Sequence, residues 1–311
     1  MGLAINEGNR IQALPEPKVS ALSAVPFATV IGAEVLGLQI STAGRAEIEF
    51  VKQALDKHSV VLLRNQEFTP SEQIAFVRGL GELHALFYSR YAVPGHPELT
   101  VVSNITKDGE AIGIADAGML WHTDGSFNAR PDMYSLLYGI EIPHRDGRAI
   151  GDTAFASTVH AFKTLPQKLQ TRLTTLTSTH SFIHHLDKKQ KKGQLKRAPL
   201  TPEQKAKLPD VSHPVVRRHP NTGEPCLYVS EGHTRCIDGM ASEESDALLE
   251  QLWEHVRDPR FQYRHQWRKG DVVIWDNCAV QHLAIFDYGE IPRRMHRAGT
   301  LGGAPVAWRN A

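Results

Sequence analysis

Phe261-Gln262-Tyr263-Arg264-His265-Gln266-Trp267 alternates strictly, with rings at 261, 263, 265 and 267 and polar chains between them. Side chains two apart share one face of an extended chain, so the stretch reads as a half-exposed strand. The turn Lys269-Gly270-Asp271 follows, and then Val272-Val273-Ile274-Trp275, an unbroken apolar run suited to a strand covered on both faces. These two strands in tandem mark the second half of the chain as strand-rich. The segment continues through Asp276-Asn277-Cys278-Ala279-Val280-Gln281 to His282, which places a histidine just beyond a buried strand, on a rigid support.

Helical patterns flank this region. Ile48, Val51 and Leu55 fall on one face of a helix over 45–57, and Ser59-Val60-Val61-Leu62-Leu63 reads as a buried strand after it. Thr69-Pro70-Ser71-Glu72 supplies an N-cap, a proline for the first helical position and a capping-box acid. Ser242 is positioned to cap a helix whose inward face is Leu248, Leu249, Leu252 and Val256, with Pro259 stopping it. Residues 1–26 mix Pro15, Pro17 and Pro26 with polar residues and read as a tail or irregular approach, leaving 27–311 as a single domain. The polar run Asp187–Arg197 reads as a solvated surface excursion over about 184–212, the type of segment that can cover an active site.

Bulk composition narrows the partners. The chain of 311 residues carries 35 basic and 34 acidic residues, so no global field selects nucleic acid or an anionic membrane. Cys226, Cys236 and Cys278 form no CxxC pair and are odd in number, which argues against a disulfide framework or thiolate zinc site and favours a reducing cytoplasm. The start lacks the basic and apolar pattern of an export signal, and no run approaches the roughly 18 apolar residues of a membrane span.

The chemistry is concentrated in Trp121-His122-Thr123-Asp124-Gly125-Ser126-Phe127. Positions two apart point the same way in an extended segment, so the His122 ring and the Asp124 carboxylate can converge on one point. A His-x-Asp triplet alone is more often a structural pair. His282 changes the weighing, because two histidines and one carboxylate on one face of a metal leave three positions open, the ligand set of non-haem Fe(II) oxygenases. Beyond it, Ile291-Pro292-Arg293-Arg294-Met295-His296-Arg297 offers guanidinium forks matched to carboxylates, and Thr153 of Gly151-Asp152-Thr153 offers a hydroxyl to share one.

With these motifs in order, the chain from about Gly32 to Arg309 resembles the taurine dioxygenase and 2,4-dichlorophenoxyacetate dioxygenase family of Fe(II)/2-oxoglutarate enzymes. The resemblance implies a mainly β fold with flanking helices, a double-stranded β-helix or jelly roll of cupin-like form. It implies His122, Asp124 and His282 as iron ligands. Arg293, eleven residues after His282, matches the arginine that holds the distal carboxylate of 2-oxoglutarate, and Thr153 matches its hydroxyl partner. Arg297 matches an arginine near the keto-acid end that can also hold the acidic group of the substrate. The implied reaction consumes O2 and 2-oxoglutarate, releases succinate and CO2, and hydroxylates a substrate C–H bond.

The chain departs from the taurine enzymes around the substrate. Leu86 and Ser89 stand where they carry a histidine and a tyrosine, Gly118 where they have asparagine, and His233 where they have phenylalanine. A small acidic molecule, a carboxylate ahead of taurine, is therefore the expected substrate, with Tyr88, Leu86, His233 and Arg297 as pocket candidates. Two rival readings are an oxygenase on nucleic acid, with 188–197 contacting phosphates, and a zinc hydrolase using the same three donors. Neutral net charge and the lack of an aromatic-interleaved basic stripe count against the first. The resemblance makes a homodimer or tetramer the expected assembly.

Overall fold

The computed structural model describes residues 21–84, 89–195 and 200–309. Strand alternation organises it into layers. The largest sheet has eight strands in the order Ser23–Pro26, Ala33–Leu36, Val60–Leu63, Val272–Asp276, Asp132–Glu141, Arg294–Leu301, His96–Ser103, Ala92–Val93. Val272–Asp276 lies inside this sheet, paired on both sides, and is buried along its whole length, as its unbroken apolar run predicts. A smaller sheet places Thr153–Ser157 between Gln262–His265 and Val280–Ala284, all antiparallel.

The two faces of the large sheet bury different sets. Val61, Leu63, Leu136, Val272 and Ile274 pack with Val51 and Leu55 of helix α1 (Arg45–His58) and Ile74 and Val77 of α2 (Pro70–Leu80). Their strand neighbours Leu62, Leu137, Val273 and Trp275 point the other way and meet Phe155 and Val280 of the small sheet. The far face of the small sheet, Ala154 and Ala156, is covered by α3 (Thr158–Thr164), α4 (Gln167–Leu173) and α7 (Ser242–Val256). The result is helices, sheet, sheet, helices, a mainly β architecture with an apolar seam between the sheets, where each fully buried large side chain contributes about 1.5–3 kcal/mol.

The helix signals at α2 hold in detail: Thr69 Oγ1 accepts from Glu72 N at 3.3 Å, and Glu72 Oε2 accepts from Thr69 N at 2.6 Å. A cap of this kind contributes about 1 kcal/mol. Four readings need correction. Ser23–Pro26 is a strand paired with Ala33–Leu36 rather than part of an irregular tail; residues 1–20 lie outside the described residues. Ser242 is the first residue of α7 instead of its cap, which falls on Ala241 without a side-chain bond. Phe261 belongs to a 3-10 turn, so the strand after it is the shorter Gln262–His265. The polar run starts inside a helix, α5 (Phe182–Lys191), and α6 (Pro202–Ala206) follows; Lys189 is buried, so the run is not wholly solvated. No helix among the described residues is long and apolar enough to cross a membrane.

Buried histidines give the fold a pH response. Burial, and then the neighbouring His213, push the His180 ring from 6.5 down to about 3. The unfolded chain therefore takes up a proton below 6.5 that the native state refuses until about pH 3, so the native state is favoured fully above 6.5 and progressively less below it. Urea midpoints should be flat from pH 7 to 8 and fall steadily from pH 6.5 toward 4, with a shallower fall in His180→Phe.

Candidate metal and cosubstrate site

Backbone pairing joins the two distant histidines. His122 N donates to His282 O over 3.1 Å and His282 N to His122 O over 2.9 Å, an antiparallel bridge between residues 160 positions apart. Opposed residues in such a pair send their side chains to the same face, and the two rings meet at 4.1 Å between centroids. Asp124 comes back to the same point, with Oδ1 3.6 Å from His122 Nε2 and Oδ2 3.8 Å from His282 Nε2. One donor atom from each of the three lies within 4.8 Å of the others.

Their protonation suits a cation. His122 Nδ1 lies 2.8 Å from Leu120 O and 3.1 Å from His282 O; carbonyls only accept, so Nδ1 carries a hydrogen and Nε2 is the nitrogen turned toward Asp124. Burial, and then the nearby His122, push His282 down to about 3, which leaves its ring neutral. Burial disfavours the Asp124 charge, but Arg297, then His282 and His122, outweigh it and hold the carboxyl well below its usual range. Two imidazoles and one carboxylate form a donor set that fits Fe(II).

A hydrogen-bond scaffold fixes Asp124. Ser135 Oγ donates to Asp124 Oδ2 at 2.7 Å, and Asn277 Nδ2 donates to Ser135 Oγ at 2.9 Å. Asn277 Oδ1 accepts from the Asp124 backbone at 3.2 Å and from Trp275 Nε1 at 3.1 Å. The asparagine next to the buried strand thus orients the carboxylate, a role its position in the motif hinted at without specifying.

Register also places the other sequence candidates. Phe155 pairs with His282 and Thr153 with Ala284, so Thr153 shares the His282 face of the small sheet. An inner recess of about 60 Å³ is lined by Thr153, Trp275, His282, Arg293 and Arg297 among others. Thr153 Oγ1 accepts from Trp267 Nε1 at 3.0 Å, which leaves its own hydroxyl hydrogen to donate into the recess. Arg293 is 3% exposed, its Nε has no hydrogen-bond partner, and among the described residues no carboxylate pairs with it. Burial pushes its pKa down, opposed by Tyr288, whose ring centroid lies 5.6 Å from the guanidinium carbon. Gly151, at φ +79°, lets the chain pass this close: a Cβ there would stand 3.3 Å from Arg293 Nε and 3.0 Å from the Tyr288 ring.

The recess shares His122, Asp124, Gly118 and Arg297 with an outer cavity of about 400 Å³. His233 lines this cavity, buried, with Nδ1 3.1 Å from Ser126 Oγ. Arg297, the candidate for the keto-acid end and the substrate's acidic group, lines both spaces, and its Nη2 lies 2.9 Å from both Asp124 Oδ2 and Asp132 Oδ2. Leu86 and Tyr88 lie outside the described residues. Sequence reasoning missed Phe127, Phe182, His185 and Asp116 as cavity-lining residues.

A second cluster, His219, Asp276 and Cys278, also brings three donors within 4.8 Å. His219 Nδ1 accepts from Asn221 N and Thr222 N, so Nε2 carries the hydrogen and donates to Asp276 Oδ2 at 2.7 Å. Burial, and then Asp276, push the Cys278 thiol well up, which keeps it protonated. With both ring nitrogens engaged and no thiolate, this is a satisfied hydrogen-bond network behind the buried strand. The three cysteines are free, in line with their odd number and spacing.

Comparison with known proteins agrees with this geometry. The profile of the family described as "Taurine catabolism dioxygenase TauD, TfdA family" matches residues 22–298. The chain is 32% identical over 268 residues to the alpha-ketoglutarate-dependent 2,4-dichlorophenoxyacetate dioxygenase of Burkholderia sp. (strain RASC), covering 83% of this chain and 86% of that protein. It is 32% identical over 300 residues to the alpha-ketoglutarate-dependent sulfate ester dioxygenase of Pseudomonas putida, covering 93% of each. The crystal structure of a taurine dioxygenase from Burkholderia xenovorans superposes with a TM-score of 0.75 at 32% identity, over 93% of this chain and 92% of that one. A histidine pair bridged to one carboxylate, in a chain matched along nearly its whole length, belongs to the TauD/TfdA family of alpha-ketoglutarate-dependent dioxygenases, which use Fe(II), 2-oxoglutarate and O2.

Proposed function

We propose that the protein hydroxylates a C–H bond of a small acidic organic molecule, a carboxylate ahead of taurine, with release of succinate and CO2. His122, Asp124 and His282 hold Fe(II); Arg293 and Thr153 hold the distal carboxylate of 2-oxoglutarate in the inner recess; Arg297 stands at the junction of recess and outer cavity. His233 forms part of the substrate wall. The two facing sheets are read as the halves of a double-stranded β-helix. The observation that carries this reading is Arg293, a buried guanidinium without a carboxylate partner among the described residues, in a recess that also contains His282. A zinc hydrolase would use the same three donors but has no need of that cation.

Bound Fe(II), with 2-oxoglutarate and O2, supplies the oxidising chemistry. The chain supplies the rest. Arg293 and the Thr153 hydroxyl fix one end of the keto acid with charge-assisted hydrogen bonds. Trp275 and Leu137 keep water from the recess. Ser135 and Asn277 hold the Asp124 carboxylate in orientation. The test is anaerobic addition of 2-oxoglutarate to the Fe(II) protein, which should give a visible charge-transfer band. Succinate release across carboxylates, sulfonates, alkyl sulfates and amino acids then identifies the substrate; no band and no succinate would sink the proposal.

A further inference from the structure

Among the lysines of 187–192, one behaves unlike the rest. Lys188, Lys191 and Lys192 reach solvent, whereas Lys189 is fully buried. Its Nζ lies 2.7 Å from Asp116 Oδ2 and also donates to the Asp116 backbone carbonyl; the two side chains are 0% and 1% exposed. Burying a charge is tolerated only with such a partner, so the pair holds the two segments together.

The location gives the pair a use. On α5, Lys189 follows Phe182 by seven residues and His185 by four, which puts all three on one helical face. Phe182 and His185 form one wall of the outer cavity; Ile114, Asp116, Ala117 and Gly118 form another. The second wall leads directly to the metal donors. Gly118 O accepts from Ala284 N at 2.9 Å, two residues past His282, and a Cβ on Gly118 would lie 3.6 Å from His122 Cε1. The ion pair therefore ties the helical wall to a loop that rests against the histidines.

We propose that Lys189 and Asp116 are positioning residues for the substrate. Their buried pair fixes the Phe182–His185 wall against the 114–118 loop, so that the substrate body is held in the outer cavity while the inner recess is unaffected. This rests on the dioxygenase reading above. In Lys189→Met, and independently in the size-conserving Asp116→Asn, the ion pair is broken and the wall loosens. In the double variant neither charge remains, and much of the order returns.

The experiment uses the full chain loaded with Fe(II) and 2-oxoglutarate under argon, and follows amide hydrogen exchange. In each single variant, exchange of the 182–191 amides should quicken by about tenfold or more while α7 is unchanged, and the double variant should recover most of that protection. The 2-oxoglutarate concentration that half-develops the charge-transfer band should match wild type. In air, with the panel acid that the wild-type enzyme oxidises fastest, product formed per succinate should fall in the single variants and rise again in the double. Unchanged exchange at 182–191 in both single variants would overturn the proposal. So would acceleration spread equally over α7, or a shift in 2-oxoglutarate binding as large as the loss of coupling. A wild-type protein with no charge-transfer band would refute the dioxygenase reading instead, a failure that the exchange data alone would not produce.

Discussion

Arg293→Ala raises the concentration of 2-oxoglutarate needed for half-maximal turnover by roughly two to three and a half decades. Arg293 is buried and has no carboxylate partner among the described residues, so it is the counter-charge available to an anion entering the inner recess. Removing one member of a buried charge pair costs about 3–5 kcal/mol, and about 1.4 kcal/mol corresponds to one decade of affinity. Arg293→Lys recovers only part of the loss, because an ammonium cannot reproduce the planar two-point grip. Metal binding should be unaffected by either change, which separates this effect from collapse of the site. Succinate formation titrated against 2-oxoglutarate measures it, and an unaltered half-saturation would remove Arg293 from the proposed role.

His282→Ala abolishes succinate formation altogether. The loss is of kind rather than degree: one of three donors disappears, and the remaining pair, His122 and Asp124, lies only two residues apart in the chain. The backbone bridge to His122 does not use the imidazole, so the variant should keep its fold and its circular dichroism. Metal analysis should show iron binding weakened to the point of loss on gel filtration, and added 2-oxoglutarate should give no charge-transfer band. Retained iron-dependent turnover would mean that another side chain completes the site.

The parts of this site that sequence could show are those in which spacing alone fixes direction. His122 and Asp124 are two apart, Val272–Trp275 is continuously apolar, and Thr69 to Glu72 has the spacing of a capping box; each was legible and each stands in the structure. What sequence could not show is set by long-range pairing. Nothing near Asp132 announces that it meets Arg297, 165 positions away. Ser135 likewise became readable only when strand pairing put it beside Asn277 and Asp124.

The 187–192 segment failed for a different reason. Local composition is polar, and a polar run is ordinarily solvated. The helical spacing of Phe182, His185, Leu186 and Lys189 was present in the sequence, with Ser181 as the cap, but a lysine at the fourth position looks like the end of an apolar face. A carboxylate 73 residues earlier in the chain helps to make that lysine an interior residue.

The bridge between His122 and His282 has a thermodynamic consequence. Donor atoms supplied by remote parts of a polypeptide usually have to be gathered when an ion arrives, and the lost chain freedom is subtracted from affinity. Here two main-chain hydrogen bonds of an isolated bridge already hold the two histidines together, so little of the coordination free energy is spent on gathering them. By mass action the same free energy reinforces the native state as a whole, so titrating in ferrous ion should raise the melting temperature while leaving the backbone where it was.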